Sequence, residues 1–138
     1  MEAKELMIGD WVECVDSTHE KKVYAQIDAI EEGQTCILVR IDNCNWFLDI
    51  SFIKPIPLTR EILEKNGWIY NNEEEKFFPQ TWVGGGLMLQ GAGDCGYCIV
   101  VTSDYDDEDT NDTPFIILYV HELQHALRLR RIKKEIIL

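Results

Sequence analysis

In three runs between Val23 and Phe52 apolar residues recur at every second position. Val23, Ala25, Ile27 and Ala29 alternate with Tyr24, Gln26 and Asp28; Ile37, Val39 and Ile41 alternate with Cys36, Leu38 and Arg40; Trp46, Leu48, Ile50 and Phe52 alternate with Phe47, Asp49 and Ser51. The runs are broken by turn-forming residues: Gly9-Asp10, Glu32-Gly33-Gln34 and Asp42-Asn43-Cys44-Asn45. A period of two places successive side chains on opposite faces of a strand, and turns at such short intervals leave room only for antiparallel neighbours. Residues 1–57 are therefore expected to form an SH3-like small β-barrel.

Lys54-Pro55-Ile56-Pro57 must be extended, because each proline fixes its own φ and restricts the residue before it. This segment marks a seam. Beyond it Thr59 is a suitable N-cap, Leu58 and Leu63 can staple the helix start, and Asn66-Gly67 can end it. A short helix over 60–66 follows. Cys98–Thr102 and Phe115–Val120 read as central strands, and a last helix runs from about Tyr119–His121 to Arg131, with 134–138 as a short strand. The expected fold class is α+β: the barrel, then an antiparallel sheet with two helices packed on one face over 58–138, the two units sharing a core as one compact domain.

The 138 residues carry 13 Lys+Arg against 25 Asp+Glu, a net charge of −12. Phosphate contacts and anionic membranes both call for a basic surface, so neither nucleic acid nor membrane is expected as the primary partner. No stretch reaches the roughly 20 apolar residues of a membrane helix. The start, Met-Glu-Ala-Lys-Glu-Leu-Met-Ile, does not resemble an export signal, and five cysteines are an odd number. Reduced thiols in the cytoplasm are the expectation.

His121-Glu122-Leu123-Gln124-His125 matches H-E-x-x-H. On a helix the two imidazoles share a face and can bind one zinc ion, with Glu122 as general base on a metal-bound water. A zinc metallopeptidase is accordingly one functional reading. Three features weigh against it. Thirteen residues follow His125, and Glu135 is their only carboxylate side chain, with no histidine or cysteine. The apolar stripe of Tyr119, Val120, Leu123, Ala126 and Leu127 puts His121 and His125 on the opposite, solvated face. Arg128 stands on that same face, where a cation disfavours a dication. No catalytic residue, metal or cofactor is therefore assigned as the first choice.

Cys95-Gly96-Tyr97-Cys98 is a C-x-x-C, but a strand follows it rather than the helix that would activate the first thiol. Cys95 and Cys98 are the weaker candidates for a structural zinc. Residues 103–113 carry six acids and no base. Asp104, Asp106, Asp107, Glu108 and Asp109 in this loop are the candidate partner-binding residues, either for a protein or through mimicry of nucleic acid. Arg128, Arg130, Arg131, Lys133 and Lys134 reverse the sign near the end of the chain.

Four segments taken together resemble a known family. They are Leu-x-Ile-Gly-Asp-Trp-Val at 6–12, Pro-Ile-Pro-Leu-Thr at 55–59, Ile-Leu-Glu-Lys-Asn-Gly-Trp at 62–68, and Tyr-Val-His-x-Leu-Gln at 119–124. The combination is similar to small uncharacterised proteins of Bacteroides and related gut bacteria, their phages and mobile elements. In that family the last motif commonly reads Val-His-Gln-Leu-Gln-Asn, so this chain departs from it at Glu122 and His125. The resemblance implies no activity and no site residue. The expected function is a non-enzymatic accessory or interaction protein of phage or mobile-element origin, with an unidentified protein partner.

Overall fold

The alternating segments of residues 1–57 form five antiparallel strands in a computed structural model that describes residues 5–15, 22–30, 35–79, 87–91, 96–101 and 116–138. The strands are β1 (Trp11–Val15), β2 (Lys22–Ile30), β3 (Cys36–Ile41), β4 (Cys44–Asp49) and β5 (Ile53–Lys54), in the spatial order β4-β3-β2-β1-β5. Two helices are described, α1 (Arg60–Lys65) and α2 (Val120–Leu129). The chain divides into two units, one of Met1–Pro57 with Tyr119–Leu129, the other of Leu58–Leu118 with Arg130–Leu138.

In the first unit the expected faces are largely recovered. Val12, Cys14, Ala25, Ile27, Ile37, Val39 and Ile53 are buried together with Leu6. A β-bulge lies between Ile27 and Ala29, so Ile30 rather than Ala29 turns to the core opposite Ile37. One extra residue exchanges the faces of all that follow. The expected SH3-like closed barrel does not form. A single 3-10 turn at Ile50–Phe52 interrupts the chain after β4, and the two-residue β5 reaches only Glu13 and Cys14 of β1. Closure requires the two outer strands to bond one another, and among the described residues β4 and β5 do not.

The second unit holds β6 (Trp68–Asn71), β7 (Lys76–Pro79), β8 (Leu87–Gly91), β9 (Tyr97–Val101) and β10 (Ile116–Ile117), an antiparallel sheet in the order β10-β9-β8-β7-β6. The expectation of two helices on this sheet is also corrected. Only α1 belongs to this unit, whereas α2 belongs to the first. The helix α1 starts as its sequence predicts: Thr59 caps it by accepting the Ile62 N–H, and Leu58 and Leu63 are buried. It ends at Asn66, followed by Gly67 at φ +82°. The Arg60 guanidinium is held by Glu64 at 2.6 Å and lies 4.8 Å above the Tyr70 ring. Gly96, at φ +93°, is required where it stands, since a Cβ there would come within 2.5 Å of the Ile117 carbonyl.

Residues 134–138 are not a strand. They are tied down by Asn66, which is 2% exposed. Its Nδ2 donates to the carbonyls of Ile62 and Ile137, both at 2.8 Å, and its Oδ1 accepts the Ile137 N–H at 2.8 Å. Lys65 Nζ donates to the Leu138 carbonyl. No helix among the described residues is long and apolar enough to cross a membrane. Replacing Asn66 by alanine removes three part-buried hydrogen bonds, two of them to Ile137, and should lower stability by about 2 kcal/mol. Urea unfolding measures this loss, and the Ile137 amide should exchange with deuterium faster in Asn66→Ala than in the wild type.

Candidate functional site

The Gly9-Asp10 turn before β1 buries an acid. Gly9, at φ +86°, donates its N–H to the Ile27 carbonyl, and the Asp10 carbonyl accepts the Ile27 N–H at 2.9 Å. The chain thus doubles back on β2, and the Asp10 side chain points inward with no exposed surface. A buried carboxylate is tolerated only where its lone pairs are met. Asp10 accepts from the Met7 N–H at 2.7 Å, from His125 Nε2 at 2.7 Å and from Arg128 Nη1 at 2.8 Å. Gln124 completes the join: its Nε2 donates to the Gly9 carbonyl at 3.0 Å and its Oε1 accepts the Trp11 N–H at 2.9 Å. Gln124, His125 and Arg128 on the α2 face toward Gly9–Trp11 therefore each have a defined bond.

This arrangement corrects the expectation that His121 and His125 lie on a solvated face. The apolar stripe is buried as expected at Val120, Leu123, Ala126 and Leu127, but His121 and Gln124 are buried as well, at 5% and 8% exposure. The ring of His121 stacks on Tyr119 at 5.8 Å and meets His125 edge-on at 5.7 Å. Its Nδ1 is buried with no hydrogen-bond partner among the described residues. Glu122 occupies the third helical position and accepts the Tyr119 N–H at 3.0 Å, the reciprocal half of a capping box. So the three residues of the zinc motif are occupied locally: Glu122 at the helix start, His125 on Asp10, His121 within the packing. Among the described residues no group of three or more His, Cys, Asp or Glu converges as a metal site. Cys98 sits half-buried in β9, while Cys95 and the acidic residues Asp104, Asp106, Asp107, Glu108 and Asp109 lie outside the described residues.

A second feature of the first unit went unassigned in the sequence. The curled sheet leaves an open apolar cleft of about 380 Å³. It is walled by Cys14 and Val15 of β1, Val23 of β2, Ile41 of β3, Trp46 and Leu48 of β4, and Phe52 of the 3-10 turn. That volume falls in the range of small-ligand and side-chain pockets. Burial, reinforced by the neighbouring Glu13 charge, pushes the Cys14 thiol up to about 11. It is thus a neutral, apolar wall and no nucleophile. Trp46 is 56% exposed at the mouth, and Phe47 and Phe52 beside it are 72% and 42% exposed. Trp46 lines the cleft, whereas Trp68 of the second unit is core. The signal in the sequence was Trp46-Phe47, two adjacent aromatics on a strand with only one face to bury.

Two outcomes follow for the α2 face. Asp10→Ala strands His125 and Arg128 and should cost about 3 kcal/mol in urea unfolding, whereas Arg128→Met, whose charge is partly in water, should cost about 1 kcal/mol. His121 is held below its ordinary value of 6.5, first by burial and also by the nearby His125, against the opposing pull of Asp10 and Glu122. The unfolded chain therefore takes up this proton at higher pH than the folded one. The contribution is complete above pH 6.5 and declines as pH falls through and below it. His121→Gln should flatten this part of the stability curve, measured by urea midpoints between about pH 7.5 and about 5. Comparison with protein-family models, curated proteins and solved structures finds no match to the chain.

Proposed function

We propose that this protein is a non-enzymatic interaction protein and that the cleft of the first unit holds an apolar group of a protein partner. The observation that carries this reading is the cleft itself. It joins an open apolar cleft to the exposed rings of Trp46 and Phe52 at its rim. Aromatic anchors beside a pocket are the commonest energetic centres of protein interfaces. The described residues of the lining are apolar apart from a thiol that burial keeps neutral, which suits the binding of an apolar group. The net charge of −12 favours a basic partner over nucleic acid or an anionic membrane. The four described cysteines Cys14, Cys36, Cys44 and Cys98 are free, which suits a reducing cytoplasm. The motif resemblance to small proteins of gut-bacterial phages and mobile elements supports an accessory role of that origin.

Selection from a displayed library of random dodecapeptides tests the reading. The wild-type chain should enrich a consensus that contains an apolar anchor. Trp46→Ala, whose side chain is half in water and whose loss should cost under about 1 kcal/mol of stability, should abolish that enrichment. No consensus, or one indifferent to Trp46→Ala, overturns the cleft as the binding site. Stoichiometric zinc in untagged protein together with peptidase activity lost in Glu122→Gln would replace this function with an enzymatic one.

A further inference from the structure

We propose that the free edge of β4 accepts an extended, basic-ended peptide strand from the partner, with alternate side chains directed over the cleft. This rests on the binding reading above and specifies the chemistry of what binds.

The register of the β3–β4 hairpin shows which backbone groups are free. Asp42 and Asn43 have φ of +46° and +64°, the signature of a two-residue type I′ turn, and Ile41 and Cys44 are its closing pair. The closing pair of such a turn is hydrogen-bonded, and bonded positions alternate along the strand. Cys44, Trp46 and Leu48 therefore turn their backbone groups toward β3. The Ile50 N–H, bonded to the Thr35 carbonyl at 2.8 Å, continues the same parity. The N–H and C=O groups of Asn45, Phe47 and Asp49 point the other way, and among the described residues no strand lies beyond β4.

Exposed edges are usually blunted by lysine, proline, a bulge or extreme shortness. The opposite edge is blunted by the two-residue length of β5. The strand β4 is six residues long, Cys-Asn-Trp-Phe-Leu-Asp, with none of these guards and with its two aromatics exposed. Its faces are also differentiated. Trp46 and Leu48 line the cleft, whereas Phe47 belongs to the other face with Asn45, which bonds Asp28. An added strand would gain main-chain hydrogen bonds from Asn45 and Phe47, with specificity from the cleft on one face and Phe47 on the other.

Charge selects the occupant. Asp49 is the last residue of β4 and Asp42 stands in the turn that leads into it, and β4 has no cation. The nearby Arg40 is already engaged, by Gln26 at 3.3 Å and Asp28 at 3.8 Å. A strand with lysine or arginine at both ends and apolar residues at alternate positions between them matches this edge. A second copy of the chain does not match, since each copy carries −12.

The test uses the full chain labelled with nitrogen-15 and the synthetic peptide Lys-Val-Thr-Val-Thr-Val-Lys. Saturable binding is expected, with the largest shifts at the amides of Asn45, Phe47 and Asp49 and at the Trp46 indole. N-methylation of the peptide at alternate residues, on the phase that faces β4, should weaken binding at least ten-fold, and methylation on the other phase should not. Exchange of both lysines for glutamate should weaken it by a similar factor. Phe47→Pro removes an outward N–H while sparing the ladder to β3, so it should retain the fold by circular dichroism and lose the peptide. Asp49→Lys is a second variant that leaves the ladder unaltered and should weaken the lysine-ended peptide. Equal binding by both N-methylated series, with shifts confined to the cleft, overturns strand addition while the cleft reading stands. Absence of saturable binding overturns the proposal. A concentration-dependent dimer with protected β4 amides assigns the edge to a second copy and overturns it too.

Discussion

The first unit is organised around one buried carboxylate. Asp10 has no exposed surface, and an isolated carboxylate in that setting would not remain charged without penalty. Its partners are a local N–H at Met7 and two cationic or ring donors on α2, His125 standing 115 positions further along the chain. Gln124 then satisfies the peptide groups on either side of the acid. Helix position follows from this. The polar groups of α2 can meet these donors and acceptors in only one orientation, so the bonds fix which face of α2 is inside. Apolar burial alone would leave the rotation of a ten-residue helix less determined.

Much of the local structure was legible. Alternation at 23–27 and 37–41 defined strands and their inner faces, and the Thr59 cap with Leu58 and Leu63 defined α1, because these signals are local and the structure obeys them. Closure of the sheet was not legible. It depends on hydrogen bonds between strands far apart in sequence, and the shortness of β5 leaves no ladder with which to close. The bulge near Asp28 was equally hidden, since one inserted residue leaves the composition of a strand unchanged. The solvated face assigned to His121 and His125 failed for a clear reason. A helical wheel sorts residues by polarity, and it has no knowledge of a buried acid elsewhere that turns polar residues into inward ones. The one available signal was Asp10 itself, an acid set between the apolar runs of Leu6–Ile8 and Trp11–Val12.

Three of the four segments that carried the resemblance also meet in space. Gln124 of the last segment bonds Gly9 and Trp11 of the first, and Val120 donates to the Ile56 carbonyl of the proline segment. Such contacts give a structural reason for these short motifs to occur together without any shared chemistry. The H-E-x-x-H match belongs to the same account. Glu122 caps the helix, His125 serves Asp10, and His121 packs against Tyr119. Spacing that suits a metal also suits a helix start beside a buried acid, so the string of letters does not separate the two. The cleft, in contrast, is assembled from five elements that each contribute one or two ordinary apolar residues.

The connectivity of the two units has a consequence for how the chain is made. The first unit leaves off at Pro57 and resumes at Tyr119; the second leaves off at Leu118 and resumes at Arg130. The units are interleaved, each closed by a return segment near the end of the chain. As synthesis proceeds from the N-terminus, the five-stranded sheet emerges early with Asp10 still lacking two of its donors, and Asn66 emerges with its Ile137 contacts unmade. Both must wait for residues 119–138. A cut at the proline seam therefore does not release two autonomous halves. Separating the units genetically would require circular permutation or splicing, so that α2 travels with the first sheet and the terminal segment with the second.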